Sequence, residues 1–243
     1  DLSHQVYAWM VPNGAWGESN AGLVAGDEES LLVDTLWDVR ITRTMLSAMR
    51  PLTGGAPITK VVNTHADGDH FWGNQLVSSA EIITSAAALA EMPAVKPATL
   101  IWMGRMGRLM SALPLSGPAA VGNWFYQMVA PYRFQDVCHT LARRTFEGEL
   151  SLNIGGRKVK LIQVGPAHTQ GDVLVYVPDA KILFTGDILF IRSTPVMWAG
   201  PVKNWLRALD LILGLDVETI IPGHGPVTDK AGVRQVKSYW QYR

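Results

Sequence analysis

Seven candidate ligands, all histidines and aspartates, fall in four short segments rich in glycine and other small residues, and their types point to metal chemistry. His65-Ala66-Asp67-Gly68-Asp69-His70 packs four candidate ligands into six positions. His168 lies within Gly165–Asp172, Asp187 in Thr185-Gly186-Asp187, and His224 in Pro222-Gly223-His224-Gly225. Imidazole nitrogens and carboxylate oxygens are the donors that divalent first-row cations take. Small neighbours let the backbone turn tightly while the donor side chain projects from a loop. Taken singly, each residue has an ordinary reading: Asp67-Gly68 is a turn signal, Asp187 a helix cap, and His224 a polar link between glycines. Together, in order and each at the exit of a strand, they read as one site. His4 and His139 lack such a setting and are read as structural.

The elements that must position these residues follow from periodicity. Val6–Val11, Gly22–Ala25 and Ser30–Thr35 read as strands, with turns at Pro12-Asn13-Gly14 and Gly26-Asp27. Asp38 can cap a helix to about Met49, with Ile41, Met45, Leu46 and Met49 at helical spacing and Pro51 at its end. A strand Ile58–Thr64, a short helix His70–Leu76 and a strand Ile82–Thr84 come next. Residues 85–145 then change to helical periodicity broken by prolines and rich in methionine, and are read as a helical cap inserted within a single domain spanning 1–243. Strands return at Glu149–Ile154, Lys158–Val164, Val173–Val177 and Lys181–Thr185, the first two joined by a hairpin at Gly155-Gly156. A helix Val202–Leu213, a strand Thr219–Ile221 and a helix from Lys230 complete the pattern. Two rounds of strands and helices imply an α/β fold in which two mixed sheets form a sandwich flanked by helices, with chemistry on the strand-end loops.

Composition narrows the function classes. The 243 residues carry 21 basic and 21 acidic side chains and are 48% apolar, the signature of a stable globular fold rather than a disordered one. No basic stripe marks a nucleic-acid partner, and no apolar run is long enough to span a membrane. A small molecule is the expected partner; oligomeric state is left open. The single Cys138 excludes an internal disulfide and a cysteine zinc cage, and is read as buried filler. The first residues lack a basic segment followed by an apolar one, so the expected location is cytoplasmic. A start without methionine leaves an earlier, removed export signal open.

On these four motifs, and on Ser19-Asn20-Ala21-Gly22-Leu23-Val24 and Leu31-Leu32-Val33-Asp34-Thr35, the chain resembles the metallo-β-lactamase-fold hydrolase superfamily. The resemblance implies an αββα sandwich with a dinuclear site at one edge. It implies one divalent ion held by His65, Asp67 and His168, a second held by Asp69, His70 and His224, and Asp187 bridging both. Asp69 and Asp187 are assigned catalytic roles. Paired cations would lower the pKa of a shared water and polarise a substrate oxygen. Zinc is the expected metal. One departure bears on this: where the family has a second histidine the chain has Asp67, a harder donor that shifts preference toward iron or manganese. A carboxylate there resembles the family's diiron branch, which has glutamate. Di-zinc, di-iron or mixed, and singly occupied sites all stay open. With the short stretch after His224, a helical extension like the one with which glyoxalase II takes glutathione is not expected.

The expected reaction is hydrolysis of an ester, lactone or thioester of a mainly apolar molecule. A β-lactam falls within the same chemistry, although no residue is assigned as its carboxylate anchor. The alternatives are a non-haem diiron oxidoreductase or oxygenase on the same fold, and a non-catalytic binding protein. Phe71, Trp72, Trp102, Met106 and Trp198 are candidate pocket walls. Arg105, Arg108 and Arg192 are read as solvated surface.

Overall fold

The structure, a computed structural model, describes residues 1–11 and 18–242. The expected Pro12-Asn13-Gly14 turn lies outside the described residues. Among these, one sheet contains β1 (Val6–Trp9), β2 (Ala21–Ala25), β3 (Ser30–Val33), β4 (Ile58–Val62), β5 (Glu81–Ser85) and β6 (Arg144–Phe146), in that order. The other contains β7 (Glu149–Ile154), β8 (Arg157–Gln163), β9 (Val173–Val177), β10 (Ile182–Phe184) and β11 (Thr219–Ile221), ordered β11-β10-β9-β8-β7. Pairing is antiparallel from β1 to β3 and parallel from β3 to β6, and only the β10–β11 pair is parallel in the second sheet. Both sheets are therefore mixed. The helices are α1 (Val39–Met49), α2 (Gly68–Phe71), α3 (Ala86–Glu91), α4 (Pro97–Ser111), α5 (Ser116–Val129), α6 (Val202–Gly214) and α7 (Lys230–Tyr242).

The alternation of side chains along each strand builds the layers. In β3, Leu31 and Val33 meet Val173, Val175 and Val177 of β9 between the sheets, while Leu32 turns outward to Met45 and Met49 of α1. Leu174 and Tyr176 of β9 turn the other way, onto Trp205, Leu209 and Ile212 of α6 and Val233 and Val236 of α7. The order is thus helix, sheet, sheet, helix. Strands buried on both faces need continuous apolar runs, which is why β2, β3 and β9 contain almost nothing else.

Several expected boundaries shift, each for a local reason. β3 ends at Val33 because Asp34 takes a left-handed φ of 61°. β4 ends at Val62, since the Thr64 N–H and hydroxyl donate to the Asp34 carboxylate rather than to a neighbouring strand. The helix expected from His70 begins at Gly68, with Asp67 in extended backbone before it, and continues as a 3-10 segment to Val77. Asp69 and His70 consequently ride on a helical turn. The segment expected as the helical insert starts at the end of β5 and runs into β6, where Ile83–Ser85 pair with Arg144–Phe146. Between these strands lie α3, α4 and α5, and the last two pack at a close crossing of Gly107 on Gly122. Cys138, expected to be buried, is exposed; Phe134 and Ala142 take the buried positions of its segment. Asp38 does cap α1, its Oδ1 accepting from the Ile41 N–H at 2.8 Å.

Candidate metal centre

The loops after β4, β9's neighbour β8, β10 and β11 all open on one edge of the sandwich, and their donors converge. His65, Asp67, His168 and Asp187 form one group and Asp69, His70 and His224 another, with the donor atoms of each group within 4.8 Å of one another. Asp187 lies between the two. Its Oδ2 is 3.4 Å from His168 Nε2, 3.2 Å from His224 Nε2 and 3.9 Å from His65 Nε2, while its Oδ1 is 3.1 Å from His70 Nε2. Asp67 Oδ2 lies 3.0 Å from His168 Nε2 and 3.9 Å from His65 Nε2. Asp69 Oδ2 lies 3.4 Å from His224 Nε2 and 3.7 Å from His70 Nε2. Every residue expected to bind metal thus reaches the cluster.

Backbone detail makes this approach feasible. Gly186 takes φ 50°, turning the chain so that Asp187 faces the site. A Cβ on Gly223 would stand 1.9 Å from Asp187 Oδ1, so only glycine lets the β11 loop pass. The Phe190 ring stacks on His224 at 5.1 Å and 8°.

The outward nitrogens of three imidazoles are already engaged. His70 Nδ1 donates to Asp34 Oδ2 at 2.8 Å, and His168 Nδ1 donates to the Val196 carbonyl at 2.8 Å. The Thr64 hydroxyl donates to Asp34 Oδ2 and accepts from His65 Nδ1 at 3.0 Å. This fixes the ring orientations and leaves Nε2 of each toward the centre, the arrangement metal-binding histidines need. His65 Nε2 is buried with no hydrogen-bond partner, and His70 Nε2 and Asp187 Oδ1, equally buried, meet only each other at 3.1 Å. Buried polar atoms are rarely left so, and imidazole and carboxylate donors in this number suit zinc, iron or manganese. The residues fit a pair of divalent cations.

Electrostatics agrees. Burial disfavours charge on Asp187, but His224, His70 and His168 hold its carboxyl well below the ordinary range. Burial likewise opposes protonation of His168 and His224, yet Asp187, with Asp67 for the first and Asp69 for the second, raises them to about 9 and about 10. His65 is pushed well below its usual value by burial and by the His70 charge.

Asp67, Asp69, His168, Asp187 and His224 of the centre line a cavity of about 540 Å³. Trp72 and Trp198, two of the expected wall residues, line it, together with Trp37, Phe190, Val95 and Leu100. Phe71, Trp102 and Met106 do not. Phe71 is fully buried beneath the cavity against Trp72 and His139, and Trp102 points from α4 into solvent, 62% exposed. Met106 is half-buried on α4 away from the lining. Arg105 and Arg108 are exposed as expected, whereas Arg192 is both exposed and part of the cavity wall, to which a second cation, Lys96, also contributes. Asp34 and Asp172 stand within the sequence motifs, where neither is given a role. Asp172 accepts from the Thr169 N–H and hydroxyl and the Ala167 N–H, fixing the turn that presents His168. Asp34 carried a signal: a carboxylate directly after the apolar run Leu31-Leu32-Val33 of a buried strand.

A family model described as the metallo-beta-lactamase superfamily matches residues 14–224. The alpha subunit of a 2,4-dinitroanisole O-demethylase from Nocardioides sp. (strain JS1661) is 24% identical over 89% of this chain and 54% of its own length. A hydroxyacylglutathione hydrolase from Brucella ovis is 35% identical over 32% of this chain and 30% of its own. The chain therefore spans about half the length of the first of these relatives. A solved metallo-beta-lactamase from Pontibacter korlensis superposes with a TM-score of 0.71 at 20% identity, covering 100% of this chain and 98% of that one.

Proposed function

Because the chain belongs to the metallo-β-lactamase superfamily, we propose that it is a metal-dependent hydrolase cleaving an ester, lactone or thioester bond of a mainly apolar small molecule. The observation that carries this reading is the convergence of four imidazoles and three carboxylates, of which His168, His224 and all three carboxylates line an aromatic-walled cavity. His65, Asp67 and His168 would hold one cation and Asp69, His70 and His224 the other, with Asp187 between them. When bound, such a pair supplies hydroxide near neutral pH and polarises the electrophile.

The chain's own residues do the remaining work. Trp37 and Trp72, stacked at 6.4 Å and 15°, present a flat apolar wall with Phe190 and Trp198 nearby. That wall binds the body of the substrate and displaces water from the reacting bond. Asp69 Oδ2 borders the cavity beside His224, placed to accept the proton released as the nucleophile adds and return it to the leaving oxygen or sulfur. Helix α4 is read as part of the cap of the site, since its Thr99 and Leu100 contribute to the cavity.

A second reading, oxygen-dependent redox chemistry at a di-iron centre, is favoured by one observation: Asp67 gives the first group as many carboxylates as imidazoles. The aryl ether in the name of the first relative adds an activated aryl ether to the electrophiles worth testing. Metal-depleted protein reloaded with zinc, manganese or ferrous iron, and assayed on aryl ester, lactone, thioester, β-lactam and aryl ether panels with oxygen uptake recorded, decides between them. Hydrolysis with two equivalents of metal and no oxygen uptake is expected. Turnover only with iron and oxygen would establish the second reading, and failure to bind any metal would end both.

A further inference from the structure

We propose that Trp198 is a positioning residue: its indole N–H holds the Asp67 carboxylate against His65 and His168, and so sets how tightly that half of the centre binds metal. The inference rests on the metal-centre reading above and concerns its asymmetry.

Asp67 is short and only partly enclosed, with 27% of its side chain exposed, so packing does not fix it. Trp198 Nε1 donates to Asp67 Oδ2 at 2.9 Å, and the same oxygen lies 3.0 Å from His168 Nε2. A carboxylate oxygen offers two lone-pair directions. The indole occupies one and leaves the other aimed between the imidazoles.

The Trp198 ring is itself 69% exposed, so apolar burial does not place it either. Its backbone does. The Trp198 and Ala199 N–H groups donate to the His168 carbonyl at 2.8 and 3.0 Å, and the Gly200 N–H donates to the Ala167 carbonyl at 2.8 Å. The Val196 carbonyl accepts from His168 Nδ1. Residues 196–200 therefore grip His168 through its ring and its backbone, and reach Asp67 through one indole. Asp69, His70 and His224 receive none of these contacts; their supports are Asp34, Ser19 and the Phe190 ring. Loss of the indole N–H acts on one half of the centre alone.

The test titrates zinc into the metal-depleted full chain against a competing chromophoric chelator, comparing wild type with Trp198→Phe, which keeps the aromatic wall and removes the N–H. Wild type is expected to bind two equivalents. In Trp198→Phe one equivalent keeps its affinity and the other weakens about 10- to 100-fold, the usual effect of removing a partner of a ligand. In an Asp67→Ala background, which removes the acceptor, the same change adds no further weakening. Unchanged affinity for both equivalents, equal weakening of both, or an undiminished effect in the Asp67→Ala background would overturn the proposal. Wild type binding no zinc would overturn the metal-centre reading with it, whereas two tight equivalents in both wild type and Trp198→Phe would overturn this inference alone.

Discussion

Three carboxylates face four imidazoles across the centre, and in the metal-free protein His70, His168 and His224, all raised, supply the balancing positive charge, whereas His65 is held well below its usual value. Although burial works against it, the Asp187 charge raises His168 to about 9 and His224 to about 10. A raised pKa means the proton is held more tightly in the metal-free state, so below about pH 9 a cation must displace protons to bind His168. Apparent zinc affinity is therefore expected to climb between about pH 6 and 8, with proton release visible by calorimetry in buffers of different protonation enthalpy; a flat profile would contradict this charge balance. Asp34 offers a second test at this scale. Its carboxylate accepts from the Thr64 N–H, the Thr64 hydroxyl and His70 Nδ1. In Asp34→Asn the amide can donate to His70 Nδ1, which forces the ring proton onto Nε2 and turns it against the metal. Metal affinity should drop about 10- to 100-fold, measured by chelator competition, with far-UV circular dichroism unchanged.

Among the elements, the loops carry more of the specification than the strands they leave. The loop after β11 must pass Asp187 with no side chain in the way, since a Cβ on Gly223 would overlap Asp187 Oδ1. Gly223→Ala is thus expected to push Asp187 out of the centre, abolishing binding of at least one zinc equivalent while far-UV circular dichroism stays native. Retained stoichiometry would show that the loop shifts instead. The strands and α1 were legible because apolar alternation and an Asp38 cap leave a local mark in sequence. Their ends were less so. Asp34 stops β3 and, through Thr64, stops β4, and a side chain acting on a neighbouring strand leaves no local pattern. The last strand of the first sheet, Arg144–Phe146, is only half-buried and too short to show a period beside the helices before it.

For the whole molecule, the centre joins both halves of the sandwich: His65, Asp67, Asp69 and His70 follow β4 of one sheet, and His168, Asp187 and His224 follow strands of the other. A cation bound across them cross-links the two sheets, and anything that binds only the folded state stabilises it. At a thousandfold excess over Kd one ion adds about 4 kcal/mol, which for a chain of this size is roughly 8–16 °C in Tm. Chelation should lower Tm by that order in a thermal scan; an unaffected Tm would mean the ions do not bridge the sheets. The cavity divided the expected wall residues. Trp72 and Trp198 line it, whereas Phe71 is buried beneath, Trp102 faces solvent and Met106 lies aside, although all five are large apolar residues in or near the expected site segments. By itself the sequence determined the layered fold and the set of converging donors, because strand alternation and the residue types of tight loops are local properties. Only the tertiary structure decided which aromatics line the cavity, that Asp34 serves His70, and that Trp198 reaches Asp67 across 131 positions of chain. Those contacts depend on how separate loops meet at one edge, and a meeting in space leaves no period in a single sequence.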